Sequence, residues 1–153
     1  MTTSPTIHAT AVLIGAKAVL IRGPSGSGKS TLAWRLIRAS GVALPFTRLV
    51  ADDRCHIEAV ASRLLVRPAP ALAGLIEIRG LGIRRLPYEP VAQVGLVVDL
   101  AAAAAARIPA HDVETVEVSG IRLPRLLAAP GEEALPLLLA WLGTVPGASP
   151  PAN

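Results

Sequence analysis

Residues 23–30 read G-P-S-G-S-G-K-S and satisfy the pattern G-x-x-x-x-G-K-[ST] at every fixed position. Gly26 and Gly28 permit backbone angles that other residues avoid, so successive N–H groups can point into one concavity. The N-terminus of a following helix adds further N–H donors. Lys29 brings a positive charge, and Ser30 brings a hydroxyl group that can bind magnesium. The stretch therefore predicts a loop that holds the phosphates of a nucleoside triphosphate together with Mg²⁺.

The segments on both sides of this loop have the pattern that such a site requires. The apolar runs 11–14 and 17–21 flank Gly15-Ala16 and predict a hairpin whose second strand leads into the loop. After the loop, residues 30–40 place their apolar side chains on one face at helical spacing. The predicted nucleotide-binding residues are Gly23, Ser25, Gly26, Ser27, Gly28, Lys29, Ser30 and Thr31.

The rest of the chain alternates short apolar runs with turn residues, which is typical of a strand-rich core. Further strand candidates are 48–51, 57–60, 64–67, 75–79, 95–100 and 113–118. Residues 132–142 predict a last helix, and the alanine run 101–106 predicts helix or a helix start. Many strands and few helices indicate an α/β class, with α+β as the alternative, in one domain over 7–145 with flexible ends at 1–6 and 146–153.

Composition narrows the class of protein. Hydrophobic residues make up 52% and aromatic residues only 3%, so the core must be aliphatic. The net charge of +4 fits either an arginine-rich composition or attraction to phosphate groups. No basic run is interleaved with aromatic residues, so we expect no nucleic-acid partner.

Asp99 interrupts the apolar stretch 91–108, so we expect no membrane span. With Cys55 as the single cysteine and no signal peptide, we expect a cytoplasmic protein.

Several acidic residues are candidates for the chemistry. Asp52 and Asp53 end the strand candidate 48–51, where one acid can serve magnesium and another can accept a proton. A solvated turn is an equally good interpretation of this pair. Glu77 and Arg79 should share one strand face, either to hold a metal and a phosphate or to form an ordinary surface pair.

Four segments in a fixed order carry a family resemblance. His8, then 23–30, then V-A-D-D-R at 50–54 and E-I-R-G-L-G-I at 77–83 together resemble the catalytic C-terminal domain of HPr kinase/phosphorylase. The resemblance implies a P-loop kinase domain of the HPr kinase type, in a short form without the family's N-terminal domain. It also implies an ATP-dependent serine kinase that acts on the phosphocarrier protein HPr of the bacterial phosphotransferase system. Family members form hexamers, and the sequence leaves the oligomeric state of this chain open.

The resemblance also implies roles for single residues. Asp52 would be the general base toward the serine, and His8 would interact with this acid. Asp53 would support it or bind the metal. Glu77 would hold magnesium together with Ser30. Arg79 would lie close to the phosphates.

One departure from the family pattern bears on the reverse reaction. Family members carry a basic stretch after a Pro-Gly near the C-terminus, whereas Pro130-Gly131 is followed by two glutamates, 132 and 133. The reverse, phosphate-driven phosphorolysis therefore stays open. The alternatives to an HPr kinase are a nucleotide-binding regulatory protein with little catalysis and a P-loop kinase of a small molecule, for which Arg84-Arg85 offers a lid.

Overall fold

Eleven strands, two α-helices and one short 3₁₀ helix make up the regular structure of the described residues. These are residues 6–102, 114–130 and 133–144 of a computed structural model. The strands are β1 (Thr6–Ile7), β2 (Thr10–Ile14), β3 (Lys17–Arg22), β4 (Thr47–Ala51), β5 (Cys55–Val60), β6 (Arg63–Pro68), β7 (Leu75–Ile78), β8 (Gly82–Arg85), β9 (Ala92–Asp99), β10 (Glu114–Val118) and β11 (Ile121–Leu127). The helices are α1 (Lys29–Arg38), the 3₁₀ turn Pro70–Leu72 and α2 (Ala134–Gly143). The predicted strand-rich α/β class is confirmed.

The predicted hairpin lies inside the main sheet, between β9 and the edge strand β4. β2 and β3 are antiparallel from the pair Thr10–Ile21 to the pair Ile14–Lys17, and Gly15 turns the chain at φ +65°. Seven strands follow in the order β1-β5-β6-β9-β3-β2-β4, and β11 joins the sheet through β9 and carries β10. β7 and β8 form a separate two-stranded sheet.

Three parallel strands end beside the phosphate loop. β9 is parallel to β3 along one side and parallel to β11 at the end of its other side. Their carboxyl ends therefore meet at one edge of the sheet, at Arg22, Asp99 and Leu127. Ligands of open α/β sheets bind outside the carboxyl ends of the strands, and residues 23–30 leave β3 at this edge.

Both faces of β3 are buried, which explains its continuous apolar run. Val19 and Ile21 pack in the cluster that includes α1 and α2, whereas Ala18 and Leu20 pack in a second cluster on the opposite face. The first cluster fixes α1 against the sheet, so the loop between β3 and α1 is anchored at both ends.

Besides the two-residue β1, the sequence patterns missed two strands, β8 and β11, for physical reasons. β8 reads G-I-R-R, is exposed along its whole length and pairs only with β7, so it has no buried face to produce alternation. β11 contains Pro124, which argues against a strand; it lies opposite Thr115 of β10.

Other expectations need smaller adjustments. Ala101 has φ +57° and lies in a turn, so the expected helix start at 101–106 is wrong at its first residue; residues 103–106 lie outside the described ranges. Thr6, assigned to the flexible N-terminal end, pairs with His56 in β1, and residues 1–5 and 146–153 lie outside the described ranges. Both α-helices have ten residues, and in the described ranges no helix is both long and apolar enough to cross a membrane.

Candidate active site

The glycine-rich loop wraps around the start of α1. Gly26 and Gly28 have φ +81° and +96°, in the region that favours glycine, and a Cβ at either would meet no atom within 4 Å. Glycine is therefore required here by backbone conformation rather than by lack of space. Gly28 caps the helix, and its carbonyl accepts the first helical hydrogen bond from the N–H of Leu32, at 2.9 Å. The first N–H groups of a helix have no partner within the helix, so this turn can bind an anion.

A cleft of about 410 Å³ lies between this loop and the β7–β8 hairpin. Most of the predicted site residues line it. The lining residues are Ser25, Gly26, Gly28, Lys29, Ser30, Thr31, Asp53, Glu77, Ile78, Arg79, Gly80 and Gly82. The structure thus brings the phosphate loop, one of the two adjacent acids and the start of the E-I-R-G-L-G-I segment together at one opening.

Lys29 is folded onto its own loop. Its Nζ donates to the backbone oxygens of Gly23 at 2.9 Å and Pro24 at 3.2 Å. Gly23 is required by close packing, since a Cβ there would lie 2.6 Å from Ser27 Oγ and 3.1 Å from the carbonyl oxygen of Leu100. The ammonium group is therefore held against the loop backbone. Rotation of the Lys29 side chain would direct it into the cleft that this residue lines.

Ser27 faces away from this cleft. Its Oγ is buried and makes no hydrogen bond within the described residues. It lines a second cavity of about 440 Å³ on the other side of the loop, together with Pro24, Ser25, Gly26, Leu100, Ala101, Ala129 and Pro130. The loop is thus bordered by space on two sides.

Asp52 is turned into the protein and accepts three hydrogen bonds. Its residue is 4% exposed, and Oδ1 accepts hydrogen bonds from the hydroxyls of Ser30 at 2.6 Å and Thr10 at 2.8 Å. Oδ2 accepts a bond of 3.0 Å from the backbone N–H of Glu77. One carboxylate therefore fixes the first turn of α1, the start of β2 and the start of the E-I-R-G-L-G-I segment relative to one another.

Asp53 has the opposite orientation. Its φ of +68° turns the chain sharply after β4, and its side chain is 71% exposed and lines the cleft. His8 Nδ1 lies 3.8 Å from Asp53 Oδ1. The expectation that His8 contacts Asp52 is wrong, because the Asp52 side chain points inward to Thr10, Ser30 and Glu77 while its neighbour points out to the histidine.

Glu77 and Arg79 reach the cleft from the β7–β8 hairpin. Ile76 is 1% exposed while Glu77 is exposed, so the predicted alternation along β7 is confirmed. β7 ends at Ile78, and Arg79 begins the turn toward β8, where Gly80 and Gly82 have positive φ. Both charged side chains belong to the cleft wall rather than to an isolated surface pair.

The oxygen donors of this cleft suit magnesium. Ser30 donates its proton to Asp52, which leaves the lone pairs of its Oγ free to bind a cation. In the described part of the chain, no cluster of three or more His, Cys, Asp or Glu side chains can enclose a metal. Magnesium at phosphoryl-transfer sites is held by one or two protein oxygens, with phosphates and water completing the shell, so Ser30 and Glu77 fit this ion.

The family model described as the HPr serine kinase C-terminal domain matches residues 1–87. This range covers more than half of the 153 residues and includes His8, the phosphate loop, both acids and the β7–β8 hairpin. The chain belongs to the HPr serine kinase C-terminal domain family.

Relatives of this family member are similar in sequence and in fold. An HPr kinase/phosphorylase of Caldicellulosiruptor bescii is 35% identical over 136 residues, which is 80% of this chain and 41% of the relative. One of an Exiguobacterium species is 44% identical over 78 residues, 50% of this chain and 23% of the relative. This chain therefore spans less than half the length of these relatives. The solved Hpr(Ser) kinase/phosphatase from Coxiella burnetii matches with a TM-score of 0.73 and 25% identity, over 91% of this chain and 88% of that one.

Sequence reasoning missed two groups around the acids of this family domain. Thr10 is fully buried and bonds Asp52; a polar residue at the start of the apolar run T-A-V-L-I was the available signal. Arg54, the last residue of V-A-D-D-R, lies with its guanidinium nitrogen 3.1 Å from His8 Nε2. Its position directly after the two acids was the only signal for it.

An ion cluster at the strand ends supports the base of the phosphate loop. Asp99 at the end of β9 accepts from Arg22 at 2.7 and 2.9 Å and from Arg125 of β11 at 3.2 Å. Arg22 directly precedes Gly23, and its carbonyl accepts from the N–H of Leu100 at 2.8 Å. The two arginines and one aspartate thus tie together the three parallel strands from which the loop emerges.

Proposed function

We propose that this chain is an ATP-dependent protein kinase that phosphorylates a serine of the phosphocarrier protein HPr. The observation that carries the proposal is the meeting of a phosphate loop and an exposed carboxylate, Asp53, in one cleft. A protein kinase needs these two groups, because one positions the donor phosphates and the other receives the proton of the acceptor hydroxyl. The relatives named HPr kinase/phosphorylase support HPr as the acceptor.

The loop and Lys29 bind the triphosphate in this proposal. Backbone N–H groups of the loop and of the first turn of α1 surround the β- and γ-phosphates. Lys29 exchanges its two carbonyl acceptors for phosphate oxygens, which requires only rotation of its side chain. Arg79 on the opposite wall adds a second positive charge near the transferred group.

Ser30 and Glu77 would hold Mg²⁺ between the phosphate loop and the hairpin. Bound there, the ion neutralises charge on the β- and γ-phosphates. Asp52 acts on this site indirectly: it holds the Ser30 hydroxyl and the Glu77 backbone in place and leaves their other atoms to the cleft. Asp53 is a further oxygen donor on the same wall.

Asp53 is a better general base than Asp52. Asp52 is 4% exposed and accepts three hydrogen bonds from donors inside the protein, so an acceptor hydroxyl in the cleft has little access to its carboxylate. Asp53 is exposed, lines the cleft and has an imidazole beside one carboxylate oxygen. We therefore reassign the base role from the first acid to the second.

The transfer step follows from these positions. The acceptor serine places its hydroxyl between Asp53 and the γ-phosphorus. The hydroxyl proton passes to the Asp53 carboxylate, the serine oxygen forms a bond to phosphorus, and the bond between the γ-phosphorus and the bridging oxygen breaks. ADP leaves with the electron pair of that bond, and Asp53 later gives the proton to solvent.

A transfer assay tests this function. Purified chain, γ-labelled ATP, Mg²⁺ and HPr from the same organism should give labelled phosphoserine on HPr. An HPr variant in which the labelled serine is replaced by alanine is the matched control and should stay unlabelled. If the folded chain binds ATP and leaves HPr unlabelled, the proposal is wrong.

The same assay separates the remaining alternatives. Label on a metabolite and not on HPr would identify a small-molecule kinase, and ATP binding without turnover would identify a regulatory protein. Adding inorganic phosphate to phosphorylated HPr tests phosphorolysis, and light scattering of the purified chain tests the homo-oligomer. A cytoplasmic location belongs to the proposal, since the reaction needs ATP and Cys55 is a free thiol.

A further inference from the structure

We propose that Arg54 is a positioning residue that fixes the tautomer of His8, so that the Nδ1–H of the imidazole faces Asp53. The inference rests on the proposed function, in which Asp53 receives the hydroxyl proton. It assigns a role to a residue outside the phosphate cleft, since Arg54 is not among the residues that line it.

The three side chains form a short row. An Nη atom of Arg54 lies 3.1 Å from His8 Nε2, and the other Nη donates to Thr6 Oγ1 at 3.4 Å. On the far side of the ring, His8 Nδ1 lies 3.8 Å from Asp53 Oδ1. The imidazole therefore has a guanidinium at one nitrogen and a carboxylate near the other.

Chemistry decides which nitrogen carries the proton. A guanidinium has five N–H donors, no acceptor and no accessible neutral form, so Arg54 can only donate. The Nε2 atom of His8 must then accept, which in a neutral imidazole leaves the proton on Nδ1. The carboxylate of Asp53 can only accept, and it favours the same arrangement. In the other tautomer, the Nε2–H of His8 would face an N–H donor of Arg54, and the lone pair on Nδ1 would face the carboxylate of Asp53.

The pairing of β1 with β5 places these three side chains next to one another. The pair Ile7–Cys55 joins β1 to β5, so the residue after Ile7 lies beside the residue before Cys55, and these are His8 and Arg54. Between Asp52 and Arg54, a hydrogen bond of 2.8 Å from the Arg54 N–H to the Asp52 carbonyl closes a tight turn. Asp53, with φ +68°, lies at the apex of this turn and reaches the opposite side of the ring.

The oriented imidazole of His8 would in turn orient the carboxylate of Asp53 for phosphoryl transfer. The Nδ1–H dipole attracts Oδ1 of Asp53, which leaves Oδ2 for the acceptor hydroxyl. Without Arg54, the ring is free to adopt the other tautomer and to turn its lone pair toward the carboxylate. We expect Arg54→Met to lower kcat about 10-fold, part of the 10²- to 10⁴-fold typical of a positioned base, while KM for ATP stays unchanged. Arg122→Met, an exposed arginine bonded to Thr115, is the matched control.

The tautomer can be read directly by long-range ¹H–¹⁵N correlation of the imidazole nitrogens in the full chain. The spectra are recorded at about pH 8.5, roughly two units above the ordinary histidine pKa, so that neutral rings are observed. The chain has three histidines, and His8→Gln identifies the signals of His8. This readout needs no phosphoryl transfer, so its failure is distinct from failure of the proposed kinase activity.

The expected result is an Nδ1–H tautomer for His8 in the wild-type chain. Arg54→Met should shift the population toward Nε2–H, and Arg54→Lys, which keeps a donor, should retain the wild-type pattern. Circular dichroism confirms that each variant is folded. A wild-type His8 with its proton on Nε2, or a tautomer that Arg54→Met leaves unchanged, would overturn the inference.

Discussion

The hydroxyl of Ser30 lies 2.6 Å from Oδ1 of Asp52, so the first turn of α1 is bonded directly to the end of β4. The same carboxylate bonds Thr10 and the Glu77 backbone. A buried carboxyl group with three donors is a strong cross-link, because hydrogen bonds to a carboxylate are about twice as strong as neutral ones. Asp52 is thus the residue on which the geometry of the phosphate loop depends most.

Replacing Asp52 with asparagine should destabilise the domain. One carboxylate oxygen becomes an NH₂ group that faces a donor, and we expect the free energy of unfolding to fall by about 1–3 kcal/mol. Urea denaturation measures the change. Asp53→Asn is the matched control: the side chain is exposed and asparagine tolerates φ +68°, so its effect should stay within about 0.5 kcal/mol. Equal losses for the two variants would refute the assigned role of Asp52.

Removing the loop lysine should weaken nucleotide binding selectively. The chain has two lysines, Lys29 in the loop and Lys17 at the start of β3, so each is a control for the other. Lys29→Met should raise the Kd for ATP about 10- to 100-fold, from the loss of one charge-assisted contact of about 1.5–3 kcal/mol. Lys17→Met should leave it unchanged. Calorimetric titration with ATP and Mg²⁺ measures both, and equal effects would refute a phosphate contact by Lys29.

Adding one methyl group at Gly28 should weaken ATP binding, because it strains the backbone of the loop. Gly28→Ala forces alanine to φ +96°, which costs about 1–2 kcal/mol although no atom lies within 4 Å of the new Cβ. We expect weaker ATP binding with little change in the rest of the fold. Gly143→Ala is the control: it also meets no atom within 4 Å and ends α2 without a positive φ. ATP affinity that falls equally in both variants would contradict the account.

Cys55 should be unreactive in the folded protein. Burial raises the pKa of its thiol from 9.0 to about 12, so the reactive thiolate is scarce at neutral pH. Because the folded pKa lies above the unfolded one, this group's contribution to stability is complete below about pH 9 and is lost as pH rises toward 12. A thiol reagent at pH 8 should modify the native chain slowly and the denatured chain at once, as mass spectrometry would show. Equal rates would contradict burial of the thiol.

Much of the fold follows from local pattern. The hairpin β2–β3, the phosphate loop and α1 are read from apolar periodicity and glycine positions that act over a few residues. β8 and β11 could not be predicted in this way, because β8 has no buried face and β11 contains a proline. Both are strands because they pair with strands elsewhere in the chain.

The roles of the two acids needed the structure. Asp52 and Asp53 are identical in type and adjacent in sequence, so pattern cannot tell which turns inward. The φ of +68° at Asp53 and the donors Thr10 and Glu77, which are distant in sequence from Asp52, decide it. The family resemblance located the segment, and the three-dimensional contacts support the proposed exchange of roles within it.

The most direct test of the account is single-turnover phosphoryl transfer from ATP to HPr by the wild-type chain and by Asp53→Asn. We predict labelled phosphoserine with the wild type and a rate lower by about 10²- to 10⁴-fold with Asp53→Asn, with ATP affinity unchanged in the same preparation. Transfer by Asp53→Asn at the wild-type rate would remove Asp53 from the base role. Absence of label with a wild-type chain that binds ATP would contradict the proposed kinase itself.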